Sequence, residues 1–405
     1  MKAAIVYDVF PHYREGILDE LSAHSEHSYV LAAGRRSLDA TIKTARLPEG
    51  VEYVVCPCIE LPGGAIYQGG LIRLALRRDL QAIIYLGCPS LLSTWLSAAV
   101  ARCAGKQVLY WTHGWLRRDA RVRGIIKRIF YRLAHTLLLY GNVAKQLGME
   151  VGFDAARMHV IYNSLNYKEQ ARIRETISAE DCDDMRRALF IDADLPLVIC
   201  TARLTAACRF ELLFAAQRIL MAEGTPFNVV LVGDGPQRKS LEMNSQDLGS
   251  HVRFYGECYD EETLGKLIMA ADVAVSPGKV GLTAMHSLAF GTPVITHDNP
   301  EHQRPEVEAI VPGMTGDLFR EGDAASLAAV IRKWICDGAS SSKRSACIQV
   351  IEEFYNPVYQ RVVIDRALRG ECAQPLTTVA DGMEQWRREN GSSQHRPDLE
   401  VQLHV

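Results

Sequence analysis

The chain has 405 residues, 48% of them hydrophobic and 23% charged, and carries a formal net charge of −3. That length exceeds what one core serves and fits two domains, and the composition is that of a folded globular protein. The near-neutral balance gives no global reason to expect a nucleic-acid partner, and no apolar run reaches the ~18 residues a membrane span needs.

The N-terminal apolar stretch is too short for a signal peptide and reads as a first strand over Ala3–Tyr7. The eleven cysteines are scattered. Cys56 and Cys58 are the nearest pair, with no second pair or histidine cluster beside them, so no metal is expected. A reducing cytoplasm with small buried thiols is the expected setting.

Short apolar runs then alternate with amphipathic stretches, the pattern of parallel sheets covered by helices. Further strands are predicted over Tyr29–Ala33, Glu52–Cys56, Ala82–Leu86, Gln107–Thr112, Thr136–Tyr140 and Val160–Tyr162. Helices are predicted between them over Arg14–Ser22, Gly69–Arg77 and Ser93–Cys103. The second series predicts strands at Leu197–Thr201, Asn228–Val232, Val252–Tyr255, Val273–Ser276, Pro293–Thr296 and Ala309–Val311. Its helices are expected over Phe210–Ala222, Pro236–Gln246, Asp260–Ala270 and Leu282–Phe290. The reading is therefore α/β, with two Rossmann-like domains facing a cleft. Residues 1–165 form the first domain, 166–190 the connection and 191–345 the second domain. A helical region spans 346–370 and can cross back to the first domain. Residues 371–405 are expected to be a disordered tail.

Two segments carry candidate chemistry. Strand Val229–Val232 runs into Gly233, Asp234, Gly235 and Pro236, with proline at the favoured first helical position. Such a turn lets a ligand approach the backbone beside free amides; an ordinary tight turn reads the same way. Strand Val273–Ser276 runs into a loop holding Gly278, Lys279 and Gly281 that opens a helix at Leu282 and Thr283. The unpaired amides and positive dipole there suit a diphosphate, and His286 is near enough to face the same cleft. No dinucleotide GxGxxG, phosphate-loop or nucleophile-elbow motif is present.

Together with Pro11-His12-Tyr13-Arg14, Trp111-Thr112-His113-Gly114-Trp115, Val160-Ile161-Tyr162-Asn163-Ser164 and Ala202-Arg203-Leu204-Thr205, these segments resemble the retaining glycosyltransferases of family four, which have the GT-B fold. Phe254-Tyr255-Gly256, Gly291-Thr292-Pro293-Val294-Ile295 and Pro312-Gly313-Met314-Thr315-Gly316 extend the resemblance to about Arg369. It implies that Arg203 holds the donor diphosphate and that the 233–236 turn borders the donor. It also implies that Tyr255 and Gly256 touch the nucleobase, that the amides of Leu282 and Thr283 receive the diphosphate, and that His113 faces the transferred sugar or acceptor. Three positions depart from the family pattern. The family's diphosphate lysine falls on Cys208, so Arg209 or Lys279 must supply the charge. Its two glutamates fall on Gly278 and His286, of which the histidine can still bind a ribose hydroxyl.

The function implied is transfer of a sugar from a nucleotide-sugar donor to a hydroxyl of a glycan or lipid-linked acceptor, with retention and without metal or other cofactor. A sugar-nucleotide epimerase of the same fold, or a scaffold subunit that has lost catalysis, are the alternatives. Between residues 117 and 132, Arg117, Arg118, Arg121, Lys127 and Arg128 interleave with Ile125, Ile126 and Ile129. A helix there would present an apolar stripe flanked by cations, suited either to an anionic membrane surface or to packing on the first domain. The expected location is cytoplasmic, peripheral on the inner face of the cell membrane.

Overall fold

The computed structural model describes residues 1–36, 43–119, 121–338 and 340–390. Among the described residues, nine strands lie in the first part of the chain: β1 Lys2–Val6, β2 Ser28–Ala33, β3 Glu52–Val55, β4 Cys58–Leu61, β5 Ala65–Gln68, β6 Ala82–Leu86, β7 Gln107–Thr112, β8 Thr136–Leu139 and β9 Met158–Val160. Seven of them form one parallel sheet in the order β3-β2-β1-β6-β7-β8-β9. The remaining two, β4 and β5, pair as an antiparallel hairpin that the sequence reading did not anticipate. In the second part, β10 Leu197–Thr201, β11 Asn228–Val232, β12 Val252–Gly256, β13 Val273–Ser276, β14 Val294–His297 and β15 Gly316–Phe319 form a parallel sheet in the order β12-β11-β10-β13-β14-β15.

Both sheets reverse their strand order beside their first strand, the Rossmann-like topology that leaves a crevice at the carboxyl ends of the strands. Their central strands are buried on both faces; Ala3–Ile5, Val198–Ile199 and Val229–Leu231 are each fully shielded from solvent. Near-continuous apolar runs, rather than alternation, are what a helix-covered parallel sheet demands. This is why those strands were legible to within a residue or two.

The last strand was misplaced. Ala309–Val311 is not a strand: the chain makes a 3-10 turn over Pro305–Ala309 and enters the sheet only at Gly316. The Thr315 hydroxyl receives the Val311 N–H and donates to the Ala309 carbonyl, so those apolar residues are spent on a turn. Gly316 then pairs so closely with β14 that an added Cβ would stand 1.8 Å from the Val294 carbonyl oxygen.

The connection is itself helical. Tyr167–Thr176 and Ala179–Leu189 place Ile173 and Ile177 in the core of the second half, and Arg186 pairs with Asp272. After helix Ser341–Phe354, helix Pro357–Leu368 crosses back. Its Ile364, Ala367 and Leu368 join the core of the first half, while Asp365 accepts from the Ser25 hydroxyl and Arg361 pairs with the buried Glu20. The expected tail does not begin at 371: Val379–Asn390 forms a helix whose Val379 and Met383 are buried in the second half's core. Its few apolar residues, spaced four apart, are enough to seat one face. Residues 391–405 lie outside the described residues.

Candidate active site

The carboxyl ends of the two sheets bound a cleft with two cavities. The outer one, of about 920 Å³, is lined by Thr201, Ala202, Arg203, the 232–235 turn and Glu257, Cys258 and Tyr259, with Lys43 reaching in from the first half. Its shape is set by glycines. Gly233 adopts φ +137°, and an added Cβ there would meet the Ala202 carbonyl oxygen at 2.1 Å; at Gly235 the Leu204 carbonyl oxygen would lie at 2.4 Å. Two loops can therefore pack backbone on backbone. The amides of Gly233 and Gly235 are not free, however. Gly233 N–H donates to the Gly256 carbonyl, Gly235 N–H to the Asp234 carboxylate and Gln237 N–H to the Leu204 carbonyl. Pro236 does not open a helix either, because the helix begins only at Arg238.

Arg203 is exposed in this cavity and, among the described residues, has no acidic partner. Tyr255 and Gly256 do not line the cavity; the residues after them do. The Gly256 carbonyl is committed to Gly233, and the segment that follows β12 presents Glu257, Cys258 and Tyr259. The Lys43 ammonium sits 3.8 Å from the centroid of the Tyr259 ring. This contact across the cleft was invisible in the sequence, since 216 positions separate the two residues.

The loop after β13 shows why Gly278 departs from the family pattern. An added Cβ would stand 2.1 Å from the Ala207 carbonyl oxygen, and Gly278 N–H donates to the Cys208 carbonyl at 3.0 Å. The 3-10 turn Ala206–Cys208 lies directly on the loop, leaving no room for a carboxylate side chain. Cys208 turns its thiol onto the Arg203 carbonyl, 3.2 Å away. Neither expected substitute for the lysine is aimed inward by an observed contact. Arg209, held in the left-handed region at φ +54°, brings Nη1 to 4.0 Å from Glu321; Lys279 is exposed and has no side-chain partner among the described residues.

Helix Leu282–Ala289 begins at Gly281 without a side-chain cap. Thr283 spends its hydroxyl on the Thr201 carbonyl at 2.6 Å, tying this helix start to the outer cavity. His286 is engaged: its Nε2 lies 3.2 and 3.3 Å from the two oxygens of Glu261. Any contact to a ribose hydroxyl would therefore involve this pair rather than a lone histidine.

The inner cavity, of about 400 Å³, joins both halves and includes Gly281 and Leu282, His113, Arg14, Arg304 and Glu306. His113 follows β7 because Gly114 turns the chain at φ +60°, where an added Cβ would strike Leu139 at 2.7 Å. Its ring faces the cleft, with its centroid 4.6 Å from that of Tyr140. Partial desolvation by the cavity walls, then the charges of Arg304 and Arg14, lower the pKa of this solvent-exposed ring, which favours the neutral imidazole at pH 7. Arg14 is buried; it donates to Asn163 at 3.0 Å and to the Tyr140 hydroxyl, and lies 4.9 Å from the Trp111 ring centroid. Asn163 in turn donates to Glu306 at 2.7 Å. Arg14, Asn163 and Glu306 come from three distant stretches, and sequence reasoning gave none of them a role. Arg14 and Asn163 lie within segments that carry the family resemblance, but their burial and mutual contacts, and the part of Glu306, are not written in local sequence.

Of the cationic segment, Arg117 and Arg118 are exposed, although Arg118 reaches Glu150, and Arg128 is exposed on helix Arg121–Arg132. Lys127 departs from expectation: it folds inward to Asp119 at 3.0 Å, because Asp119 is itself largely shielded and needs a counter-charge. The Arg121 side chain lies outside the described residues. Phe130 packs into the first core, while Val122, Ile125, Ile126 and Ile129 remain 48–71% exposed.

Residues 181–353 match the family described as Glycosyl transferases group 1. Among curated proteins, the chain is 32% identical over 117 residues to a GDP-mannose-dependent alpha-(1-6)-phosphatidylinositol dimannoside mannosyltransferase of Mycobacterium tuberculosis, over 28% of this chain and 30% of that one. It is 30% identical over 132 residues to alpha-monoglucosyldiacylglycerol synthase of Streptococcus pneumoniae, over 31% of this chain and 30% of that one. The matched region thus spans about a third of those relatives' length. Among solved structures, Anabaena HepE in complex with UDP superposes with a TM-score of 0.69 at 18% identity, covering 91% of this chain and all of HepE. The fold is GT-B, and with the group 1 match it supports a glycosyltransferase. No described helix is long and apolar enough to cross a membrane.

Proposed function

We propose that the protein transfers a sugar from a nucleotide-sugar donor to an acceptor hydroxyl with retention of anomeric configuration. The observation that carries this reading is the unpaired, exposed Arg203 beside the Gly233–Gly235 turn, in a cavity tied through Thr201 and Thr283 to an uncapped helix start. The donor diphosphate lies between Arg203 and the amides at Leu282, and the base lies toward Glu257–Tyr259. The acceptor oxygen bonds the anomeric carbon on the face from which the donor phosphate departs. The electron pair of the broken bond stays on the phosphate oxygen, which takes the acceptor proton. Fixed positive groups stabilise that developing charge, and no enzyme nucleophile is required. His113, uncharged and at the wall of the inner cavity, accepts or donates a hydrogen bond to a sugar hydroxyl.

Thermal stabilisation by a panel of nucleoside diphosphates and nucleotide sugars tests the donor site, since a ligand of the folded state raises the melting temperature. One selective shift is expected, and Arg203→Ala should weaken that ligand about 10- to 100-fold. An unchanged shift in the variant would remove Arg203 from the site. Formation of a rearranged nucleotide sugar without acceptor would instead favour epimerisation.

For the acceptor we infer a lipid-linked sugar at an anionic membrane surface. Helix Arg121–Arg132 leaves four apolar side chains exposed among cations, and the two curated relatives carry phosphatidylinositol dimannoside and monoglucosyldiacylglycerol in their names. Flotation should recover the protein on anionic but not neutral vesicles. Changing Ile125 and Ile129 to serine should reduce that recovery without changing thermal stability by more than about 0.5 kcal/mol; equal recovery on both lipids sinks the assignment.

A further inference from the structure

We propose that Arg304 is the second cation on the donor diphosphate, filling the role that Cys208 cannot; this rests on the donor site proposed above. Arg209 is drawn to Glu321 and Lys279 stands exposed outside both cavities, so neither places its charge where the helix opens. Arg304 does: it lines the inner cavity together with Gly281 and Leu282 and, among the described residues, has no ion-pair partner.

Its position is enforced by the turn that follows it. Pro305–Ala309 sends two carboxylates into the first half. Glu306 accepts from Asn163 at 2.7 Å, and Glu308 accepts from the backbone N–H groups of Asn142 and Val143 at 2.8 and 2.9 Å, at the start of helix Asn142–Glu150. A carboxylate at a helix start is both hydrogen-bonded and favoured by the dipole. The Arg304 backbone thus immediately precedes a turn pinned at two points across the cleft, which fixes where its side chain starts.

The charge balance points to an anion. Arg304, the buried Arg14 and the open helix start converge on about 400 Å³ of space, and Arg14 Nε has no hydrogen-bond partner among the described residues. Of the two acids lining that space, Glu306 accepts from Asn163, and burial raises the pKa of both Glu306 and Asp8, which favours their neutral forms and reduces the negative charge they set against an anion. A doubly charged phosphate group offers acceptor oxygens to the guanidinium fork and to the amide at Leu282 together.

The test is calorimetric titration of the full chain with UDP and GDP and with uridine and guanosine, on wild type, Arg304→Gln, Arg304→Met and Arg203→Ala. The expected result is an at least tenfold loss of nucleoside diphosphate affinity in both Arg304 variants, with affinity for the matching nucleoside unchanged and unliganded melting temperatures close to wild type. A purely structural role would weaken diphosphate and nucleoside alike, and that pattern overturns the proposal. So does wild-type diphosphate affinity in either folded variant. If Arg203→Ala loses the diphosphate while the Arg304 variants keep it, the donor site stands and Arg304 is excluded. If wild type binds neither nucleotide, the donor site itself fails, and the inference with it.

Discussion

The outer cavity is walled by backbone that glycines allow to close up, whereas the inner cavity is walled by side chains reaching across from both halves. At Gly233, Gly235 and Gly278 a neighbouring carbonyl oxygen lies where a Cβ would have to stand. Around His113 the fixing contacts are instead Arg14 to Asn163, Asn163 to Glu306 and Glu308 to Asn142. Backbone packing of the first kind is a local property of one half and does not depend on protonation. Side-chain joints of the second kind hold the halves together, and their strength depends on which groups are charged.

The largest expected effect breaks the first kind of wall. Gly278→Glu, which restores the residue type of the family pattern, should prevent the Ala206–Cys208 turn from seating. A loss of at least about 1–3 kcal/mol of stability is expected, with nucleotide binding lost and not improved. Gly281→Ala, three residues on, has open space around it and should shift stability by no more than about 0.5 kcal/mol. Denaturant melts of the two variants give the contrast directly; equal costs would mean that the close approach at 278 has no weight.

Acid sharpens the comparison from the other side. His159, buried on β9 beneath the returning C-terminal segment, has its pKa lowered from 6.5 to about 4, mainly by burial and then by Lys145. The folded state therefore resists protonation that the unfolded chain accepts. Stability is fully present above pH 6.5 and is lost as pH falls toward 4, by up to about 3 kcal/mol from this group. His159→Asn should flatten that part of a pH-stability curve; an unchanged slope would assign the loss to other groups.

The smallest effect concerns Lys43 and Tyr259, the side-chain contact that crosses the outer cavity. An exposed cation–π contact contributes about 0.5–1 kcal/mol. Lys43→Ala should accordingly change nucleotide affinity only about two- to fivefold. A tenfold or greater loss would mean that Lys43 contacts the ligand itself.

Much of the second half was legible because its motifs are contiguous. Strand Asn228–Val232 followed by the glycine turn, and strand Val273–Ser276 followed by helix Leu282–Ala289, each occupy a single short stretch. Apolar continuity, glycine and the helix start therefore appear side by side in the chain. The differences share a cause. Ala309–Val311 looked like a strand because a buried turn is as apolar as a strand, and hydrogen bonds from Thr315 decided otherwise. Glu257, Cys258 and Tyr259 were passed over for Tyr255 and Gly256 because pairing to Gly233 consumes the Gly256 carbonyl. His286, read as a ribose contact, has Glu261 of another helix within reach, a pairing that the sequence did not show.

By itself, the sequence determined two parallel sheets and the glycine turns at their carboxyl ends, because period, run length and glycine placement act over a few neighbouring residues; Arg203 came as a candidate from the family resemblance alone. Only the tertiary structure decided which charges are free. Arg209 turns to Glu321, Lys127 to Asp119 and His286 to Glu261, while Arg203 and Arg304 are left facing the cleft. Charge pairing is set by distance in space, and the fold brings together residues that the chain keeps far apart.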